Sequence, residues 1–171
     1  GLGAIKGMGD SAALAIIEER EKNGPYKNIY DFALRVSFSS VNRKAYESLA
    51  LSGGFDSFGI RREDYFATNA KGEMFLDTLV RYGQTYQQEM SQMQNSLFGA
   101  FGEGVEIAQP PVPKNEERWS DIERLNKERD LVGIYLSAHP LDEYKIILDN
   151  LCNARCMELA DRGAALRDRD D

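Results

Sequence analysis

One pattern near the start of the chain restricts its fold more than any other: Leu2-x-x-Ile5-x-Gly7-Met8-Gly9-x-x-x-Ala13-x-x-Ile16. An apolar residue stands between two glycines, and apolar or small residues flank them at helical spacing. Gly7 and Gly9 permit the left-handed or otherwise crowded backbone of a tight turn, and without a Cβ they let an anion approach the main chain. Met8 is expected to point inward and pin the turn, while Leu2, Ile5, Ala13 and Ile16 pack the flanking helices together. A helix that starts at Asp10, capped by Asp10 or Ser11, leaves free N–H groups beside Lys6, and such a helix start is an anion site.

This is the helix-hairpin-helix pattern, which holds DNA by its backbone without reading its sequence. A purely structural glycine turn is the alternative. Units of this kind usually pair, and Asn42 to Leu51, Gly53-Gly54-Phe55 and a helix starting near Arg61 form a degenerate candidate for the second, with Arg43, Lys44, Arg61 and Arg62 close by. Its glycine spacing differs from the first, so a packing element without DNA contact is an equal reading.

The rest of the chain reads as helix. Asp10 to Lys22 is amphipathic and is stopped by Asn23-Gly24-Pro25. Asn28 to Val36 repeats the spacing through Ile29, Phe32, Ala33 and Val36, and a serine-rich turn over Ser37 to Ser40 precedes Asn42 to Leu51. Arg61 to Met93 is polar and helix-forming, with Gly72 and Gly83 as expected interruptions that divide it into two or three helices. From Gly99 to Glu117 the composition turns to Gly, Glu and Pro without periodicity, which predicts a flexible linker. Trp119, Ile122, Leu125 and Leu131 predict a helix ending near Gly133, and Leu141 to Leu151 another that begins just after Pro140. No period-2 strand pattern occurs, so the fold class is all-α. The expected division is 1–62 as a tandem helix-hairpin-helix unit, 63–98 as a helical extension, 99–118 as linker and 119–171 as a helical segment.

Composition sets limits on partners and chemistry. The 171 residues carry 21 Lys+Arg against 28 Asp+Glu, a net charge of -7, which argues against bulk attraction to a polyanion. The average hides an asymmetry: residues 1–62 hold nine Lys+Arg and seven Asp+Glu, the remainder twelve and 21. Any DNA binding therefore belongs to the N-terminal third and relies on geometry more than on bulk charge. No apolar run exceeds Ala12 to Ile17, too short for a membrane span. Cys152 and Cys156 share a helix face, but the single histidine, His139, is too isolated to complete a metal site, so reduced thiols in a cytoplasmic protein are expected. His139-Pro140 reads as the start of a helix, not a catalytic pair. Asp168-x-Asp170 lies in a charged terminal run without a scaffold, and Gly1-Leu2-Gly3 lacks the third glycine and preceding strand of a dinucleotide loop. The chain opens at Gly1 inside a motif and reads as a piece of something larger.

Gln94-Asn95-Ser96-Leu97-Phe98 stands between the polar helix and the linker. Leu97 and Phe98 have no helical face to join, which suggests anchors for a partner's pocket. Two such anchors give roughly 1.5 to 3 kcal/mol each, much of it offset by ordering the loop. The peptide is therefore useful when a second contact raises its effective concentration. A tuck back onto the helices is the alternative.

Taken together, Gly1-Leu2-Gly3-Ala4-Ile5-Lys6-Gly7-Met8-Gly9, Gly24-Pro25-Tyr26, Val41-Asn42-Arg43-Lys44, Ser52-Gly53-Gly54-Phe55-Asp56 and Gly133 to Asp142 resemble, in this order, the catalytic alpha subunits of bacterial DNA polymerase III. Ala138 and Gly54 depart from the family's common Gly and Ala. The resemblance implies a place after the fingers, in the tandem helix-hairpin-helix region that leads to an OB domain. It implies duplex DNA binding through Lys6, Gly7, Met8, Gly9, Asp10, Ser11, Arg43 and Lys44. It also implies that Gln94, Asn95, Ser96, Leu97 and Phe98 are the internal peptide that docks on the ring-shaped beta sliding clamp. The implied partners are the primer-template duplex, that clamp and other holoenzyme subunits through regions not present, in a cytoplasmic, nucleoid-associated assembly. The palm carboxylates and the histidinol-phosphatase-like metal site have no counterpart here, so the segment is expected to be inactive and without cofactor, with Mg used by the parent polymerase. A repair or recombination factor with the same hairpin, and a scaffold without DNA contact, are the alternatives.

Overall fold

The computed structural model describes residues 1–95 and 107–151. It divides into two compact units, the first ending at Ser137 and the second running from Ala138 onward. Six α-helices form among the described residues: α1 (Asp10–Asn23), α2 (Ile29–Arg35), α3 (Arg43–Ser52), α4 (Phe75–Asn95), α5 (Asp121–Val132) and α6 (Lys145–Leu151). Short 3-10 turns cover Leu2–Ala4, Asp56–Phe58, Arg62–Phe66 and Asp142–Tyr144. The all-α expectation holds, and among the described residues a single bridge, Thr68 to Met74, is the nearest approach to a sheet.

Local chemistry explains where most helices begin and end. Asn28 and Asn42 cap α2 and α3 by accepting from the N–H groups of Asp31 and Ala45. Ser120 and Glu123 form a reciprocal capping box at the start of α5, and Gly133 closes that helix in a left-handed conformation. α1 differs from expectation at its start: its cap is Gly9, with no side-chain bond, instead of Asp10 or Ser11. At its end, Arg35 of α2 donates to Glu19 at 2.9 Å and to the Gly24 carbonyl at 2.8 Å, and lies over the Tyr26 ring. That one guanidinium fixes the α1–α2 corner.

The core of the first unit is a string of aromatic rings, Tyr26, Phe32, Tyr46, Phe55, Tyr65 and Phe75, in edge-to-face or tilted contact. Ile29, Val41, Leu76 and Leu79 close around it and are fully buried. Each such side chain contributes roughly 1.5 to 3 kcal/mol.

Three expectations are corrected. The chain turns at Gly72 (φ +76°), but Gly83 does not interrupt the helix, and α4 runs unbroken for 21 residues. A Cβ on Gly83 would stand 2.3 Å from the Ala33 carbonyl oxygen, so the glycine marks a close approach of α2 and α4 that leaves no room for a side chain. No α-helix begins near Arg61; the turn at Gly53 leads into 3-10 turns because Arg61 and Arg62 are drawn into ion pairs. Residues 107–117, expected as flexible linker, form a strap on the first unit. Ile107 and Val112 pack on the core, Tyr30 donates to the Pro110 carbonyl at 2.7 Å, and the Asn115 N–H donates to Asp64 at 2.8 Å.

In the second unit, the His139 N–H donates to Asp142 and the Leu141 N–H to the His139 ring, so His139 belongs to the turn ahead of α6. Ser96, Leu97, Phe98, Cys152, Cys156 and the Asp168–Asp170 pair lie outside the described residues.

Candidate nucleic-acid interface

The hairpin at residues 5–9 is built as a tight turn. Met8 N–H donates to the Ile5 carbonyl at 3.0 Å with Gly7 at φ +90°, a conformation that disfavours any residue with a Cβ. Met8 is 6% exposed and enters the core, as expected. Lys6 is held on both of its backbone groups: its N–H donates to the Leu131 carbonyl of α5 at 2.8 Å, and its carbonyl accepts from Ser48 Oγ of α3 at 3.0 Å.

This clamp leaves a distinct set of groups open. The N–H groups of Gly7, Gly9, Asp10 and Ser11 have no acceptor among the described residues, and all four residues are exposed. They cluster at the positive end of a 14-residue helix. Gly9 has φ -76°, so backbone strain does not explain it. A Cβ there would have nothing closer than Ser11 Oγ at 3.8 Å, so its contribution is open space over the main chain. The Asp10 carboxylate is turned toward Gly3, which a Cβ would bring within 3.2 Å of it.

The cations divide into two groups. Lys6 and Lys44 are exposed and make no ion pair among the described residues, and the Lys44 stem lies beside Gly7, with Cε 3.3 Å from where a Cβ would stand. Both line a groove that also takes in Asn42, Ser48, Asp130 and Leu131. Arg43, by contrast, pairs with Asp77 at 2.5 Å and Glu47 at 2.9 Å; the Asp77 bond above all raises its pKa. Arg61 is held by Asp64, and Arg62, only 4% exposed, by Asp56 and Glu128. Of the four basic residues assigned to the second hairpin, only Lys44 makes no ion pair among the described residues.

Sequence reasoning missed the mount of the hairpin. Ser48, the Leu131 carbonyl and the fully buried Glu128 carry no local signature, because each matters through a residue more than 40 positions away. Burial opposes the Glu128 charge, yet the Ser137 hydroxyl and N–H, Arg62 and the Leu136 N–H together hold its carboxyl below the usual carboxylate range. Gln94 and Asn95 form the last positions of α4, and the remainder of that pentapeptide is among the residues not described. Among the described residues no group of three or more His, Cys, Asp or Glu is placed to hold a metal ion, and no helix is long and apolar enough to cross a membrane.

Comparison with known proteins agrees with the geometry. Residues 1–65 match the family model of the helix-hairpin-helix motif. The chain is 37% identical over 145 residues to the DNA polymerase III subunit alpha of Xylella fastidiosa (strain Temecula1), covering 85% of this chain and 12% of that protein. It is 33% identical over 160 residues to the protein of that name from Vibrio cholerae, 94% of this chain and 13% of the relative. The Chlamydia trachomatis protein of the same name is 34% identical over 173 residues, 97% of this chain and 13% of the relative. The chain thus spans about an eighth of the length of these curated relatives.

Proposed function

We propose, for a chain that belongs to the DNA polymerase III alpha-subunit family as a segment of about an eighth of its members' length, that its task is to hold duplex DNA by the backbone and to tether the polymerase to its sliding clamp. One observation carries the DNA half of this reading. Four N–H groups without acceptors and two lysines without carboxylate partners among the described residues meet, with a glycine that has open space above it, at one exposed hairpin. A phosphate fits that arrangement through short N–H contacts and two flanking ammonium groups. Base edges are not engaged, so binding is indifferent to sequence.

The clamp half rests on the pentapeptide Gln94 to Phe98. Leu97 and Phe98 serve as the apolar anchors, with the Gln94 amide fixing register. Each weak contact then supplies the effective concentration for the other, and the pair supports processive synthesis on the primer-template duplex. The segment does no chemistry itself; nucleotide transfer, with its Mg, belongs to the rest of the polymerase, which acts in the cytoplasm with the other holoenzyme subunits.

The two halves separate in one experiment that reads duplex affinity and clamp capture on the same samples. Lys6→Glu is expected to weaken duplex binding equally on all sequences and leave clamp capture intact. Leu97→Ala with Phe98→Ala is expected to abolish clamp capture and leave duplex affinity unchanged. Equal duplex affinity of wild type and Lys6→Glu at low salt would make the hairpin a structural turn only, and undiminished capture by the double variant would remove the pentapeptide from the interface.

A further inference from the structure

We propose that Glu128 and Arg62 are positioning residues for the phosphate-binding hairpin. Their buried ion pair sets the register of α5 on α3, and that register holds Lys6 to Gly9 in the open conformation. This deepens the duplex-binding reading and rests on it.

The seam between α3 and α5 has two polar rungs. In the first, Arg62 donates to Glu128 at 2.9 Å and to the Leu51 carbonyl of α3 at 3.4 Å. Glu128 also accepts from the N–H groups of Leu136 and Ser137, at 2.5 and 2.7 Å, and from the Ser137 hydroxyl. In the second, Lys6 is gripped between Ser48 Oγ of α3 and the Leu131 carbonyl of α5. Leu51 and Ser48 are three residues apart on α3, and Glu128 and Leu131 three apart on α5, which places the rungs about 4.5 Å from each other along both helices. Helices transmit axial shifts without compression, so displacement at the first rung reappears at the second.

Apolar packing does not hold α5 in place by itself. Only Leu125 and Glu128 of that helix are fully buried, and a single leucine leaves axial position weakly specified. A buried carboxylate with four donors specifies it strongly, because any shift leaves a charge unpaired away from water. The Leu131 carbonyl belongs to the last turn of α5, where no N–H of the helix reaches it. It is therefore free to accept from Lys6, and only while α5 is in register. Half of the mount, Glu128 and the Leu131 carbonyl, thus lies well past the matched motif, which ends at residue 65 and contains the other half, Ser48 and Arg62.

The test uses the full chain and the Glu128→Gln variant, with two readouts: affinity for a labelled duplex at fixed low salt, and amide hydrogen exchange at Lys6. Removing a negative charge should tighten binding to a polyanion if only electrostatics mattered. Positioning demands the reverse, and the expected result is a roughly fivefold loss of affinity with faster exchange at Lys6 and unchanged exchange at Phe32 and Leu79. Asp121→Asn, the same charge change on the same helix outside the network, is expected to bind as tightly as wild type or tighter. If Glu128→Gln does not fold, Ser137→Ala, which removes the hydroxyl that donates to Glu128 and accepts from Arg62 but removes no charge, decides by the same two readouts with a smaller loss. Affinity equal to or above wild type in the variant, or unaltered exchange at Lys6, overturns the proposal. A wild-type chain that fails to bind duplex overturns the DNA-binding reading instead, while exchange at Lys6 still reports on the mount.

Discussion

At the scale of single residues, the two glycines of the hairpin do different things. Gly7 needs its φ of +90°, and a Cβ there would stand 2.7 Å from Ser48 Oγ, the atom that holds Lys6. Gly7→Ala is therefore expected to cost about 1 to 3 kcal/mol of stability, seen as a lower Tm, and to weaken duplex binding with it. Gly9 has ordinary backbone angles and room for a methyl group. Gly9→Ala is expected to stay within about 0.5 kcal/mol of wild type in unfolding and still to bind duplex several-fold more weakly, because the methyl occupies the approach of the phosphate. If Gly9→Ala binds as tightly as wild type, the phosphate does not come in over Gly9. In the sequence the two positions look alike. What distinguishes them is Ser48, 41 residues beyond Gly7, and no local pattern reports that contact.

Elements were legible where their causes are local and opaque where they are not. The caps at Asn28, Asn42 and Ser120 and the stops at Gly24, Gly53 and Gly133 lie within a few residues of the helices they bound, so those helices match their expected limits closely. The strap over 107–117 shows no periodicity, and its docking depends on Tyr30 and Asp64, residues of distant segments. Gly83 is the clearest case of a tertiary cause overriding a local rule. Alanine there improves helix propensity by about 1 kcal/mol, yet its Cβ would meet the Ala33 carbonyl at 2.3 Å and push α2 from α4. Backbone cannot give way as a flexible side chain can, so Gly83→Ala is expected to be a net destabilisation of about 1 to 3 kcal/mol in urea unfolding. A stabilised variant would show that the two helices separate without loss, and that the glycine is there for another reason.

For the molecule as a whole, the proposed duplex binding has to be reconciled with a net charge of -7. Residues 1–62 carry a small excess of cations, but four of their nine, Arg35, Arg43, Arg61 and Arg62, are committed to carboxylates. Beside the hairpin, Lys6 and Lys44 make no ion pair among the described residues, and in the proposed complex backbone N–H groups supply the rest of the phosphate contact. N–H groups release no counterions, so the salt dependence should count the lysines alone. With about 0.9 of a logarithmic unit per phosphate neutralised, two lysines predict a slope near -2, or a loss of about tenfold in duplex affinity between 50 and 200 mM salt. Lys6→Glu should lower that slope by about 1, whereas Glu128→Gln should weaken binding with the slope unchanged. Duplex titrations at four or five salt concentrations measure both. A loss of a thousandfold over the same range would require many more cations in the footprint than the hairpin offers, and would move the DNA contact to another face of the chain.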